Sequence, residues 1–211
     1  NITVRDFFPK IQYQIDIAKQ AFPASLNMFC VGAGFFIIIF FASFFPSPDT
    51  SSISVASYGI AIRIEQIILM PAIGLNFACL ALTGQNFGAV KYDRIREGYL
   101  ICLKYGLILM VCGSLFLYFG AGYFMKIFTD DIPVINTGIH YLQIAALFAP
   151  ILPVLNISIA LMQGVKKPIY TVFISLFKEV VGAAIIIWLL CFYLNYKLQG
   201  LWVAILIVNY L

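Results

Sequence analysis

Charge is what this sequence most lacks. Lys, Arg, Asp and Glu make up 10% of its 211 residues, against about 25% in an ordinary soluble domain. So few charges cannot cover the surface of a water-soluble fold. Histidine is almost absent: His140 stands alone, so paired-histidine signatures such as HExxH have no place, and GxSxG is missing too. No Cys or Asp cluster has catalytic spacing, and an enzyme is not expected. Cys30, Cys79, Cys102, Cys112 and Cys191 lie singly in apolar stretches without CxxC spacing. That argues against a disulfide framework or a metal site and for small, buried apolar residues. Nowhere does polarity alternate over the ten residues or so of a membrane β-strand.

What is present is hydrophobic length. The chain is 63% hydrophobic, with 20 Phe and 12 Tyr, residues suited to lipid-facing surfaces and interfacial belts. Five apolar runs are long enough for the roughly 20 residues a spanning helix needs: about 20–45, 53–83, 98–124, 133–163 and 168–194. A sixth begins at Leu201 and stops at Leu211. The fold class is therefore an all-α polytopic membrane protein. Because the chain opens on Asn1 and ends inside an apolar run, it reads as a fragment truncated at both ends.

Residues 1–19 differ from the rest. Phe7, Phe8, Ile11, Ile15 and Ala18 recur at helical spacing with Lys10, Asp16 and Lys19 between them. This predicts an amphipathic lead-in on the membrane surface, with the tail of a longer loop as the alternative. The spans are joined by short turns at Pro46–Ser52, Thr129–Pro133 and Gly164–Pro168. With the lead-in cytoplasmic, ten basic residues gather on the inner side: Arg5, Lys10, Lys19, Lys91, Arg94, Arg96, Lys104, Lys166, Lys167 and Lys178. Three (Arg63, Lys126, Lys197) remain outside, a strong positive-inside bias. The net charge of +4 thus reads as a topology signal, not as a nucleic-acid surface.

The stretch 59–98 is the most unusual. It carries Arg63 and Glu65 near its start, Pro71 in its middle and a glycine-flanked polar exit, Gly84-Gln85-Asn86-Phe87-Gly88-Ala89, followed by Lys91, Arg94 and Arg96. In a bilayer such residues are costly unless they face a cavity, a neighbouring helix or an interface. These residues resemble the eighth helix of the multidrug and toxic compound extrusion (MATE) family. Gly59 to Glu65 and Leu69-Met70-Pro71-Ala72-Ile73-Gly74-Leu75 carry the likeness together with the exit. Ala21-Phe22-Pro23-Ala24-Ser25 is similar to the opening of the family's seventh helix, and Met162 to Pro168 to the exit of its tenth.

The resemblance implies two pseudosymmetric six-helix lobes working by alternating access. This chain would be the second: lead-in 1–19, then a lobe over 20–211 that supplies helices seven to twelve, the last incomplete. In the sodium-coupled branch of the family, acids sit on helices seven and ten. Here those positions are Val31 and Leu152, so the likeness is to the DinF-like branch. There the coupling carboxylate for H+ or Na+ is expected in the other lobe, and no cofactor is implied.

Candidate path residues follow. Arg63 and Glu65 are two apart and so lie on different faces of a helix. Each needs its own partner, and Arg63 either lines the outer cavity opposite an acid of the other lobe or sits at the interface. Asn27 and Met28 are candidates for the cavity wall, as are Tyr58, Met70 with Phe77, Asn76 and Asn156. Interhelical hydrogen bonding is open for the asparagines, and ordinary packing for the others. Pro71, Pro150 and Pro153 should bend their helices, as gating kinks or as static ones. Lys178 should snorkel to cytoplasmic headgroups, and His140 belongs to the outer interface or a proton relay.

The function expected from the resemblance is antiport of amphipathic, often cationic compounds at the plasma (inner) membrane. The partners would be the lipid bilayer, small amphipathic substrates and the first lobe. A flippase for lipid-linked oligosaccharides, which would need several basic side chains for a pyrophosphate, and a helical scaffold without substrate are the alternatives.

Overall fold

A computed structural model describes residues 11–43, 51–194 and 196–210, except the side chains at 51, 52, 197 and 198. Part of the lead-in (1–10, with Arg5, Phe7, Phe8 and Lys10), the linker residues Pro46–Thr50 and the side chain of Lys197 lie outside the described residues. Among those described, the chain is helical, with no strand. The helices are α1 (Ile11–Ser43), α2 (Ser51–Gly88), α3 (Tyr92–Phe128), α4 (Ile132–Phe148), α5 (Leu152–Gly164), α6 (Pro168–Ser175), α7 (Ala183–Trp188) and α8 (Lys197–Tyr210). Five stretches are long and apolar enough to cross a membrane: Ile11–Ser43, Ile53–Gly88, Tyr92–Phe128, Ile132–Gly164 and Pro168–Tyr193. The protein is a multi-pass membrane protein.

The first four spans are longer than the sequence expectation, while the fifth ends one residue earlier. Residues 11–19 are the first turns of α1, continuous with its membrane part. The helix α2 runs unbroken through Pro71, whose ring lies on an exposed face. The fourth span is interrupted: a 3-10 turn at Ala149–Ile151 separates α4 from α5. Pro150 and Pro153 cannot donate to the preceding turn, which accounts for a break at this place. Pro153 is buried, close enough to α3 that a Cβ on Gly106 would approach it to 3.0 Å. The fifth span is irregular too, with π-helical segments at Leu176–Gly182 and Leu189–Tyr193. Such i→i+5 turns recur at functional sites.

Two helix exits close alike. After α2, Lys91 N–H donates to the Asn86 carbonyl (2.9 Å) and Val90 N–H to Phe87 (3.1 Å). After α5, Lys167 N–H donates to Met162 (3.0 Å) and Lys166 N–H to Gln163 (3.1 Å). This pairing satisfies the last carbonyls of a helix and needs a left-handed residue. Val90 (φ 57°) and Lys166 (φ 60°) take that conformation, at a cost for any side chain with a Cβ. The two exits meet in space, because a Cβ on Gly164 would stand 2.6 Å from Thr83 Cβ and 3.3 Å from the Gly84 amide nitrogen.

The helix α2 is the hub, packed against α3, α4 and α5, while α1 packs against α6 and the first π segment. One core gathers Tyr58, Ala61, Ile64, Leu117, Leu142, Ala145, Ile187 and Trp202, drawn from α2, α3, α4, α7 and α8. A smaller cluster of Cys79, Cys102, Ile157 and Ala160 lies towards the paired exits. Large apolar side chains such as Phe29, Phe36, Phe119 and Phe173 point outwards, as lipid contact requires.

Candidate functional site

The middle of the lobe holds a cavity of about 210 Å³. Its polar wall is Glu65, Asn156, Lys178, Glu179 and Asn209; its aromatic wall is Phe35, Tyr58, Tyr141 and Phe148. Glu65 lies roughly 21 Å along α2 from Ser51 and roughly 35 Å from Gly88, at 1.5 Å per residue. It is therefore deep by the measure of a ~30 Å hydrocarbon core. The side chain is 8% exposed, and Tyr141 donates its hydroxyl hydrogen to Glu65 Oε2 at 2.7 Å.

An aromatic group holds Tyr141 in place. Its ring meets Tyr58 edge-on at 5.1 Å and Trp202 at 5.1 Å, and Tyr58 stacks on Trp202 at 6.0 Å. Tyr58 and Trp202 are buried. Locked by neighbours on α2, α4 and α8, the rings leave the Tyr141 hydroxyl little freedom.

Opposite lies an ion pair. Lys178 Nζ donates to Glu179 Oε1 at 3.1 Å and to Asn209 Oδ1 at 3.0 Å, and Asn209 donates onward to the Ile205 carbonyl. Lys178 is 6% exposed, so the expectation that it snorkels to headgroups is corrected. Its ammonium is satisfied inside the lobe, and the π turn brings adjacent residues 178 and 179 to one wall. Glu179 presses on α1: a Cβ on Gly34 would lie 3.1 Å from its Oε2 and from its backbone oxygen. A side chain at this position would require Glu179 to shift by a few tenths of an ångström.

The other sequence candidates scatter. Asn27 is buried and donates from Nδ2 to the Thr171 carbonyl at 3.0 Å and to Ser175 Oγ. It ties α1 to α6 and is absent from the cavity lining, whereas its neighbour Met28 is exposed. Arg63 is exposed and points away from Glu65's side of α2, as two-residue spacing requires. Met70 and Phe77 are exposed on α2. Asn76 Oδ1 is buried without a hydrogen-bond partner. Asn156 lines the cavity, and Pro71, Pro150 and Pro153 stand outside its lining. His140 is exposed in a separate groove of about 370 Å³ with Thr137, Gln199 and Trp202.

Sequence reasoning missed Tyr141, Lys178, Glu179 and Asn209 as a group with Glu65. Their signal was available: ionisable residues inside apolar runs are the default functional candidates. Val31 and Leu152, where the resemblance would place the acids of the sodium-coupled branch, line this same cavity. The cavity's carboxylates come from α2 and the π segment instead.

Residues 23–189 match the family model MatE. The chain is 21% identical over 159 residues to the "Probable multidrug resistance protein NorM" of Idiomarina loihiensis, covering 75% of this chain and 33% of that protein. It is 28% identical over 81 residues to the "Probable multidrug resistance protein YoeA" of Bacillus subtilis, covering 38% and 16% respectively. A solved structure described as the "Outward-facing conformation of a multidrug resistance MATE family transporter of the MOP superfamily" superposes with a TM-score of 0.89 at 22% identity, covering 99% of this chain and 46% of that one. The chain thus spans at most about half the length of these relatives.

Proposed function

Because the chain belongs to the MatE family, we propose that it is the second lobe of a secondary active exporter. The exporter expels amphipathic and cationic compounds in exchange for H+ or Na+ by alternating access. It sits in the plasma membrane with the start of α1 on the cytoplasmic side, in line with the excess of basic residues expected there, which remains once the buried Lys178 is set aside. The first lobe supplies the facing half of the path and a coupling carboxylate. Like a transporter in general, it moves its substrate without covalent chemistry.

The observation that supports the reading best is the cavity between α2, α4 and the fifth span. Two carboxylates and one ammonium, walled by Tyr and Phe, suit a cation with an apolar body. The same charges weigh against the oligosaccharide flippase, since Glu65 and Glu179 would repel a pyrophosphate and Lys178 is already paired. A scaffold has no use for buried ionisable groups whose desolvation costs several kcal/mol.

The test is efflux by the full-length transporter in cells that lack competing exporters. Lower accumulation of a cationic dye and raised toxin resistance are expected. Unchanged accumulation and unchanged sensitivity would overturn the reading.

A further inference from the structure

We propose that the groove between α4 and α8 is a binding site for one phospholipid of the surrounding bilayer, held by its phosphate diester. The site is separate from the transport cavity and does not rest on the exporter reading.

The two walls of the groove run the same way. The fourth span leads away from the start of α4 and the fifth returns, so α4 and α8 enter the membrane from one side. Thr137, His140 and Ile144 come from α4, and Gln199, Trp202 and Val203 from α8; together they line about 370 Å³. On each helix the polar residues come first and the apolar ones follow. Depth gives this order its meaning. At 1.5 Å per residue, the 33 residues of Ile132–Gly164 measure roughly 50 Å. A hydrocarbon core of ~30 Å centred on that span leaves roughly 10 Å at each end for the headgroups. His140 lies roughly 12 Å from Ile132, and Ile144 roughly 18 Å. The histidine therefore stands at the edge of the headgroup layer, and Ile144 lies beside the acyl chains.

The chemistry of the mouth is one-sided. The side chains of Thr137, His140 and Gln199 can each donate a hydrogen bond, and among the described residues none of them is bonded elsewhere. No carboxylate is among the described residues that line the groove. Unspent donors without an acid suit a phosphate oxygen, which bilayer lipids carry at this depth. An organic cation would find neither an acid nor an open aromatic face. Trp202 is 3% exposed, with its ring stacked on Tyr58 at 6.0 Å and met by Tyr141 at 5.1 Å. The same contacts fix the inner wall, so the groove is formed before a ligand arrives and the cost of ordering it is spared. His140 and Tyr141, adjacent in α4, serve different sides: the first lines the groove and the second the cavity.

The experiment uses the full-length protein in detergent, stripped of loosely held lipid, as wild type, H140A/Q199A, V203F and F119A. Dioleoylphosphatidylglycerol is added in excess, unbound lipid is removed, and lipid phosphorus is counted per folded molecule. Wild type and F119A, whose change lies on an exposed face of α3, should retain the same amount. H140A/Q199A, which loses two donors, and V203F, which fills the groove, should each retain one phospholipid fewer. Equal retention in all four proteins would overturn the proposal. So would inorganic phosphate that binds the lipid-free wild type but not H140A/Q199A while lipid retention stays equal, since the donors would then serve a free anion. A second arm places benzoylphenylalanine at Ile207, exposed one turn beyond Val203 on the same face of α8, and irradiates native membranes. A photoproduct with a phospholipid is expected, weakened when H140A/Q199A is added. Crosslinking to the first lobe instead would show that protein covers the groove, and would overturn the proposal even if a variant of the first arm does not fold.

Discussion

Tyr141 and Glu65 are 76 positions apart and meet at 2.7 Å in the centre of the lobe, hydroxyl to carboxylate. The contact joins α4 to α2 and depends on both staying aligned against Trp202. It is the point at which packing and charge are coupled, and it sets the first expectation. Removing the hydroxyl in Tyr141→Phe leaves a buried carboxylate without its donor, so stability should fall by about 1–3 kcal/mol. Thermal unfolding of the full-length protein in detergent checks this. A midpoint equal to wild type would mean that water replaces the hydroxyl.

The Lys178–Glu179 pair predicts strong non-additivity. Lys178→Met strands Glu179 and the Asn209 carbonyl group, and should cost about 3–5 kcal/mol. Adding Glu179→Gln removes the stranded charge and should recover a large part of the loss. A double-mutant cycle on thermal stability measures the coupling. Simple additivity would show that the two side chains do not depend on each other.

The paired exits give two expectations of opposite sign. Gly164→Ala drives a methyl into Thr83 and should destabilise by about 1–3 kcal/mol, the range for overpacking. Val90→Gly relieves a left-handed β-branched residue and should stabilise by roughly 1 kcal/mol. Chemical unfolding of both variants against wild type reads the difference. The same sign for both would contradict the two geometries.

Asn27 and Met28 separate structure from transport. Asn27→Ala loses two contacts to α6 and should lower stability by about 1–2 kcal/mol, since interhelical bonds in membranes are of that order. Met28→Ala, on an exposed face, should leave unfolding unchanged. Comparing the two melting curves is sufficient, and a larger effect at Met28 would reverse the assignment.

Arg63, exposed on α2, is expected to matter for transport more than for folding. Arg63→Ala in the full-length protein should reduce dye efflux by a larger factor than it reduces the amount of protein in the membrane. Quantitative blotting beside the efflux assay checks it, and an equal loss of both would assign Arg63 a purely structural part.

Much of the architecture was readable from the chain because helices in lipid satisfy their own backbone, so hydrophobic length alone marks them. The break in the fourth span was announced by Pro150 and Pro153, and the separation of Arg63 from Glu65 by helical periodicity. The π turns were not readable. They lie where the fifth span packs against α1 and α8, and no local residue pattern demanded them. Lys178 was misjudged for the same reason: from its neighbours in sequence it looked like an end-of-helix lysine, and its partner Asn209 is 31 positions away.

By itself, then, the sequence determined that this is a bundle of membrane-spanning helices joined by short loops, with a family likeness carried by short motifs. Those properties are local sums of apolar transfer and charge placement. Tertiary structure decided which polar residues face one another. Asn27 became a tie between helices, Arg63 was left on an outer face, and Glu65, Tyr141, Lys178 and Glu179 became one site. Contacts between distant positions depend on helix rotation and on where glycines such as Gly34 let backbones close, and a one-dimensional pattern does not encode either.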